Sequence, residues 1–285
     1  MFTEDELATV RRAYAKQVAF AAGVADQRIE EALATIPREA FLGPGPWEIM
    51  RGPEGYRTTP TADPVYLYQD VLVAILAEKL LNNGQPSFLA LLISLGRLQP
   101  GEHAVHIGAG VGYYTAVIAA LAGASGRVTA VEYEPLLASR AAANLAGSAN
   151  VEVIEGDGAT VPFEPADVIF VNAGAARPAE RWLDGLNDGG RLILPLTVST
   201  TFSGRPMTRG AIFLIERDGD EYSAQSKWPT AIYPCAGMRD ARADEALAAA
   251  FARGGADKVT RLHRTWDLPE EQCWLRGDGW ALAYS

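Results

Sequence analysis

An α/β fold with a doubly wound, mostly parallel sheet is what this 285-residue sequence predicts. Three observations predict it. Short apolar runs alternate with helical stretches between residues 103 and 195, the pattern of buried parallel strands separated by helices. The first of these runs flows into Gly108, Gly110 and Gly112, a strand–glycine–helix turn. Apolar residues make up 48% of the chain, enough for a sizeable core.

The elements follow in order. Leu7, Val10, Tyr14 and Val18 recur at helical spacing from Glu4 to Ala22, with Thr3 as the cap. Asp26 caps a second helix, Gln27 to Thr35, that stops before Pro37. Residues 43–64 are rich in Gly, Pro and Thr and read as a long irregular segment, which in a compact protein is usually functional. Helices are expected over Val71 to Leu81, ended by Asn82-Asn83-Gly84, and over Pro86 to Leu95, with proline in its first turn.

The expected strands are His103 to Ile107, Val128 to Glu132, Val151 to Ile154, Ala166 to Val171 and Arg191 to Pro195. The helices between them are Tyr113 to Ala122, Pro135 to Leu145 and Pro178 to Leu186. Beyond Pro195 the pattern changes to a hairpin, Ala211 to Glu216 and Glu221 to Lys227 around Arg217-Asp218-Gly219-Asp220. An Ala-rich helix, Ala241 to Ala252, and a tail with a Gly277-Asp278-Gly279 turn end the sequence. Three segments are expected: 1–85 helical and looped, 86–235 the core, and 236–285 an extension of helix and strand.

Composition narrows the function. A net charge of −10 argues against a nucleic-acid footprint, which needs clustered Lys and Arg. Two cysteines, Cys235 and Cys273, are too few for a disulfide framework or a zinc site, so no metal is expected and the pair reads as reduced. The opening M-F-T-E-D-E-L lacks a secretory pattern, and no apolar run reaches the ~18 residues of a membrane span. A cytoplasmic protein without membrane partners is the expectation. Oligomeric state stays open: Trp266, Trp274 and Trp280 in the tail could form an interface or cap the domain.

The glycine turn carries the chemistry. A dinucleotide fingerprint is G-x-G-x-x-G, but here the third glycine comes at 112 and Tyr113 occupies the place of the last glycine. That favours S-adenosyl-L-methionine over NAD. Glu132 ends the second strand, twenty residues after Gly112, where a carboxylate can accept ribose hydroxyls. Asp157, in Glu155-Gly156-Asp157-Gly158, follows the third strand, where it can accept from the adenine amine. Taken singly, each is an ordinary turn or strand-end residue. Their order at three successive strand ends is what points to a nucleoside.

On these motifs the sequence resembles the protein-L-isoaspartate O-methyltransferases, within the class I S-adenosylmethionine-dependent, Rossmann-like fold. Ile36-Pro37-Arg38-Glu39-Ala40-Phe41 is similar to that family's Pro-Arg-x-x-Phe segment. Gly84-Gln85-Pro86-Ser87 resembles its Ser-Gln-Pro substrate loop, His106 to Tyr113 its Gly-x-Gly-x-Gly-Tyr motif, and Gly189 to Pro195 its Gly-Gly-Arg-x-x-x-Pro strand. The likeness spans residues 24–235. It implies a seven-stranded sheet, S-adenosyl-L-methionine as cofactor, and methyl transfer to a carboxylate of a protein or peptide, a protein-repair activity.

The resemblance also implies site residues. For the cofactor they are Gln85, His106, Gly108, Ala109, Gly110, Gly112, Tyr113, Glu132, Tyr133, Asp157, Gly158 and Asn172. For the acceptor they are Asn83, Gly84, Pro86, Ser87 and Tyr68; Ser87 and His106 are the catalytic candidates, and only for a hydroxyl or amine acceptor, which needs a base, does sequence context offer His106 and Asp70 in that role. Two positions depart from the family pattern. His106 stands where an acidic residue is usual, and Gly84 where a substrate-contacting serine is usual. A small-molecule acceptor, or a non-catalytic module that binds the cofactor or its homocysteine product, therefore stays open beside the protein acceptor.

Overall fold

The computed structural model describes residues 2–202, 205–265 and 267–285. Along the chain these form α1 (Glu4–Ala22), α2 (Gln27–Thr35), α3 (Glu39–Leu42), β1 (Glu48–Met50), β2 (Tyr56–Thr58), β3 (Ala74–Leu76), β4 (Leu81–Asn82), α4 (Pro86–Gly96), β5 (His103–Ile107), α5 (Tyr113–Ala122), β6 (Arg127–Glu132), α6 (Pro135–Asn144), β7 (Val151–Glu155), β8 (Ala166–Val171), α7 (Glu180–Asp184), β9 (Leu186–Phe202), β10 (Arg205–Asp218), β11 (Glu221–Thr230), α8 (Ala241–Arg253), β12 (Arg261–His263), β13 (Cys273–Gly277) and β14 (Trp280–Ala283). They divide into two compact units, 1–102 with 109–156, and 103–108 with 157–285.

The first unit holds α1 to α6, the hairpins β1/β2 and β3/β4, and the parallel pair β6/β7. Local chemistry explains its helices. Thr3 and Glu6 form a reciprocal capping box at the start of α1, and Gly23 closes it in the left-handed conformation. The buried stripe of α1 is Leu7, Arg11, Tyr14, Ala15 and Val18, the spacing of one helix face. Asp26 caps α2 by accepting the Arg28 N–H at 3.0 Å.

The expected helix over 71–81 does not form. Its carbonyls are taken by groups from elsewhere in the unit: Val71 O accepts from Arg38 at 3.1 Å, Leu72 O from Met50 N at 2.9 Å and Val73 O from Asn83 N at 2.8 Å. A carbonyl engaged in this way cannot serve the i+4 ladder. The segment becomes β3, a 3-10 turn at Ala77–Lys79, and β4, with Leu80 at φ +56°.

In the second unit the strands run in the order β13-β14-β12-β11-β10-β9-β8-β5. β5, β8 and β9 are parallel, and every later pairing is antiparallel. The α/β class is as expected, but this unit alone exceeds seven strands because the extension supplies β12, β13 and β14. β9 also runs far beyond the expected Arg191 to Pro195. Parallel pairing to β8 ends at Ile193, and Pro195 sits beyond it, paired with Ile212 of β10, where the β-branched Thr197, Val198 and Thr200 favour continuation of the strand. α7 is shorter than expected, and the β10/β11 and β13/β14 hairpins turn on Gly219-Asp220 and Asp278-Gly279.

Trp274 is fully buried against Phe213 and Phe251, with ring centroids 5.4 and 5.1 Å away, and Trp280 is also buried. These two cap the second unit; Trp266 lies outside the described residues. Cys235 and Cys273 are free and buried. No helix among the described residues is long and apolar enough to cross a membrane. Nor is there among them a His, Cys, Asp or Glu cluster able to hold a metal.

Candidate functional site

The glycine turn is shaped by three left-handed residues, Gly108 (φ +79°), Gly110 (φ +60°) and Gly112 (φ +90°), a conformation costly for any residue with a Cβ. In the first unit the turn is tied to the end of β6. Ala109 N donates to Val131 O at 3.2 Å, and Gly110 N donates to Glu132 Oε2 at 2.6 Å. Glu134 N donates to the other carboxylate oxygen at 2.9 Å. Burial pushes the Glu132 carboxyl above the usual range, and the backbone donors at 134, 110 and 133 pull the other way.

Each glycine leaves space for a different reason. A Cβ on Gly112 would press on Leu145 Cδ1 at 2.7 Å, so this residue lets α5 begin against α6. A Cβ on Gly110 would meet only Ile75 Cδ1 at 3.2 Å. Tyr113 was expected at the cofactor, but its side chain is fully buried, edge-on to Phe41 and Tyr114. It can offer a ligand only its backbone. Tyr133, beside Glu132, is 59% exposed.

The Gln85-Pro86 loop belongs to the same unit and is organised by Asp70. Ser87 N donates to Asp70 Oδ1 at 2.8 Å; Ser87 Oγ and Gln85 Nε2 donate to Oδ2 at 2.6 and 2.9 Å. The carboxylate thus satisfies the open N-terminus of α4. Ser87 spends its only proton on Asp70, so toward a substrate it presents lone pairs. Pro86 and Asn83 are buried. Gly84 has φ +45°, and a Cβ there would lie 2.6 Å from Leu89 Cδ2, so a serine in the usual place is strained and has to displace the buried Leu89 side chain.

Tyr68 was expected at the substrate but turns into the core. Its ring lies 5.4 Å from Tyr14 and its hydroxyl donates to the Glu39 carboxylate. Of the other tyrosines in this stretch, Tyr56 donates to Asn82 Oδ1 at 2.9 Å.

In the second unit, His106 lies within β5 at 1% exposure. Burial holds its pKa down to about 4, so at neutral pH it is an uncharged imidazole inside a strand. Gly108 is bound to Asn172: its carbonyl accepts from Asn172 Nδ2 at 3.3 Å, and a Cβ on it would meet Asn172 O at 3.2 Å. Asp157 closes a turn by accepting the Ala159 N–H at 2.9 Å. Its other oxygen faces Gly237, where a Cβ would overlap it. Gly158 packs on Ile107, and its carbonyl accepts from Trp182 Nε1 at 2.7 Å.

Two residues escaped sequence reasoning. Gly237 offers no local signal, because only the fold brings it to Asp157. Arg38 had one, the Pro-Arg-x-x-Phe likeness, but nothing in its neighbours along the chain says that it is fully buried and bound to carbonyls 29 to 46 residues away.

The residues that fit a nucleoside are those left with spare acceptor capacity or no side chain. Glu132 accepts the Gly110 N–H on one oxygen and the Glu134 N–H on the other, with the Tyr133 N–H as a further backbone donor, and a carboxylate's four lone pairs still leave capacity for a hydroxyl donor. Gly110 keeps open backbone beside it.

Comparison with known proteins gives this arrangement relatives. The model of the protein-L-isoaspartate(D-aspartate) O-methyltransferase family matches residues 16–212. A protein-L-isoaspartate O-methyltransferase of Methanoregula boonei is 34% identical over 204 residues, covering 70% of this chain and 80% of that one. One from Thermotoga maritima is 33% identical over 182 residues, and this chain spans about half its length, 52%. A solved protein-L-isoaspartate O-methyltransferase superimposes with a TM-score of 0.62 at 30% identity, over 79% of this chain and 66% of that one. A Plasmodium falciparum structure, crystallised with S-adenosyl-L-homocysteine, gives 0.60 at 16% identity over 79% and 97%, a likeness of fold alone.

Proposed function

The chain belongs to the protein-L-isoaspartate(D-aspartate) O-methyltransferase family, and we propose from that premise that it transfers methyl from S-adenosyl-L-methionine to the carboxylate of an L-isoaspartyl residue in a protein or peptide. The observation that carries this reading is the buried Glu132 carboxylate, held by the Gly110 N–H at the end of a glycine turn. A nucleoside site needs that pairing: an open backbone beside an acceptor for ribose hydroxyls.

In this reading Glu132 accepts the ribose hydroxyls, Asp157 the adenine amine, and Gly108, Ala109 and Gly110 admit the ligand because they carry little or no side chain. When bound, S-adenosyl-L-methionine supplies an electrophilic methyl group on a sulfonium that departs neutral. An acceptor carboxylate, with a pKa of ~4, is already ionised at pH 7 and needs no base. The residues of this chain then align the acceptor and keep water out, for which orientation alone can account for ~7–11 kcal/mol. That agrees with a buried, neutral His106 and with a Ser87 hydroxyl engaged by Asp70.

We place this activity in the cytoplasm, in keeping with two buried free cysteines. The test is incubation of the protein with radiolabelled S-adenosyl-L-methionine and an isoaspartyl peptide beside its aspartyl twin. Label in the isoaspartyl peptide alone supports the reading, and label in neither overturns it.

A further inference from the structure

The Arg38 guanidinium is fully buried, and among the described residues its hydrogen bonds go to backbone carbonyls. It stands at the start of α3 and sends both terminal nitrogens into two separate stretches of chain. Nη1 donates to Leu67 O at 2.8 Å and Gln69 O at 3.4 Å. Nη2 donates to Val71 O at 3.1 Å, and to Asn83 O and Gly84 O at 3.4 Å. The first stretch carries Asp70 and the second runs directly into Gln85 and Ser87, the residues that Asp70 binds.

The fork is also joined to the first turn of α5. The Arg38 Cζ lies 6.0 Å from the centre of the Tyr113 ring, and the Tyr114 hydroxyl donates to Gly84 O at 3.3 Å. Burial pushes both phenols up, so they stay neutral; the cation donates to backbone carbonyls and feels the Asp70 carboxylate at longer range. A planar guanidinium can gather carbonyls from two directions at once, whereas an ammonium offers a single compact centre.

Resting on the methyl-transfer reading above, we propose that Arg38 is the positioning residue of the acceptor loop, its guanidinium fork holding residues 67–71 and 83–84 in the register that sets Asp70, Gln85 and Ser87. Arg38 touches neither reactant in this role. It acts through the carbonyls it holds, which makes substrate alignment its readout.

The test compares Arg38→Lys and Arg38→Ala with the unaltered protein in three measurements: calorimetric binding of S-adenosyl-L-homocysteine, KM and kcat with an L-isoaspartyl hexapeptide, and amide hydrogen exchange over 66–72 and 82–88. For Arg38→Lys the expected result is an S-adenosyl-L-homocysteine affinity within about twofold of the unaltered value, a peptide KM raised about tenfold and a kcat changed less than about threefold. Exchange should quicken in the two stretches and not in α1 or β6. Millimolar guanidinium ion added to Arg38→Ala should restore protection and KM together. Unchanged exchange and KM in Arg38→Lys would overturn the proposal. So would an equal loss of both ligands with exchange raised throughout, which marks a purely structural residue. Should Arg38→Ala fail to fold, Arg38→Lys decides alone. Should the unaltered protein leave the isoaspartyl peptide unmethylated, the methyl-transfer reading fails, and the exchange arm still decides what Arg38 holds.

Discussion

The backbone N–H of Gly110 points at the carboxylate of Glu132, 2.6 Å away, and fixes one oxygen of a buried acid before any ligand arrives. Replacing Gly110 by valine demands a β-branched residue at φ +60° and so dislodges both partners. We expect Gly110→Val to weaken S-adenosyl-L-homocysteine binding by at least about a hundredfold, two lost charge-assisted hydrogen bonds at ~1.5–3 kcal/mol each. Calorimetric titration checks it; an affinity like that of the unaltered protein would remove the cofactor assignment.

The same carboxylate predicts two opposite pH dependences. Burial, the larger influence, raises its pKa in the fold above the ordinary value of ~4.3. Its contribution to the stability of the ligand-free fold is therefore fully present below that ordinary value and is lost as pH rises through the raised one. Ribose hydroxyls favour the ionised form, so ligand affinity falls as pH is lowered through the same window. Melting curves and titrations between about pH 4 and pH 7 should show these opposed slopes, and Glu132→Gln should flatten both. A ligand affinity independent of pH over that range would contradict the assignment of Glu132 to the ribose.

Gly84 shows why a family serine cannot simply be restored. Its φ of +45° disfavours any side chain, and a Cβ would sit 2.6 Å from Leu89 Cδ2 and 3.3 Å from Tyr114 Cε2. Gly84→Ser should cost about 2–5 kcal/mol, the sum of left-handed strain and overpacking. Differential scanning calorimetry should register a lower melting temperature, with no gain in isoaspartyl methylation. A variant both more active and equally stable would show that the loop adopts another backbone.

What could be read beforehand divides along the range of the interactions. α1, α2, α5 and β5 to β8 follow from caps, periodicity and glycine punctuation, all written within a few residues of the element. The glycine turn and Glu132 were legible because a strand, a turn and an acid at fixed spacing are themselves local. The helix expected over 71–81 failed because Arg38, Met50 and Asn83 claim its carbonyls from a distance. Tyr68 reads from its neighbours along the chain as a lining residue, but Tyr14 and Glu39, distant in sequence, engage its ring and hydroxyl. The facing of Gly237 and Asp157 leaves no trace in either neighbourhood.

That last pair carries its own prediction. Gly237 has φ +75°, and a Cβ there would overlap Asp157 Oδ2 and lie 2.9 Å from its Cγ. Gly237→Ala must therefore move the carboxylate proposed to read adenine, without altering Asp157 itself. We expect it to lower S-adenosyl-L-homocysteine affinity by about tenfold, the worth of one hydrogen bond of ~1.4 kcal/mol, and Asp157→Ala to lower it further. An affinity for S-adenosyl-L-homocysteine unchanged in both variants would detach this carboxylate from the cofactor.

Asp70 and Ser87 separate a structural role from a catalytic one. The Asp70 carboxylate accepts the backbone N–H and hydroxyl of Ser87 and the side-chain amide of Gln85, so it caps α4 and fixes the loop that precedes it. Asp70→Ala deprives the helix of that cap, at about 0.5–2 kcal/mol, and frees three groups at once. Its peptide KM should rise about tenfold, as expected where a loop loses its alignment. Ser87→Ala removes one of those three bonds, leaves the backbone cap in place, and should keep kcat within about threefold. A carboxylate acceptor needs no base, and the proton of this hydroxyl is already given to Asp70, so the chemical step has no use for it. Steady-state kinetics on the two variants decide the matter: a collapse of kcat in Ser87→Ala with KM unchanged would make Ser87 a catalytic residue after all.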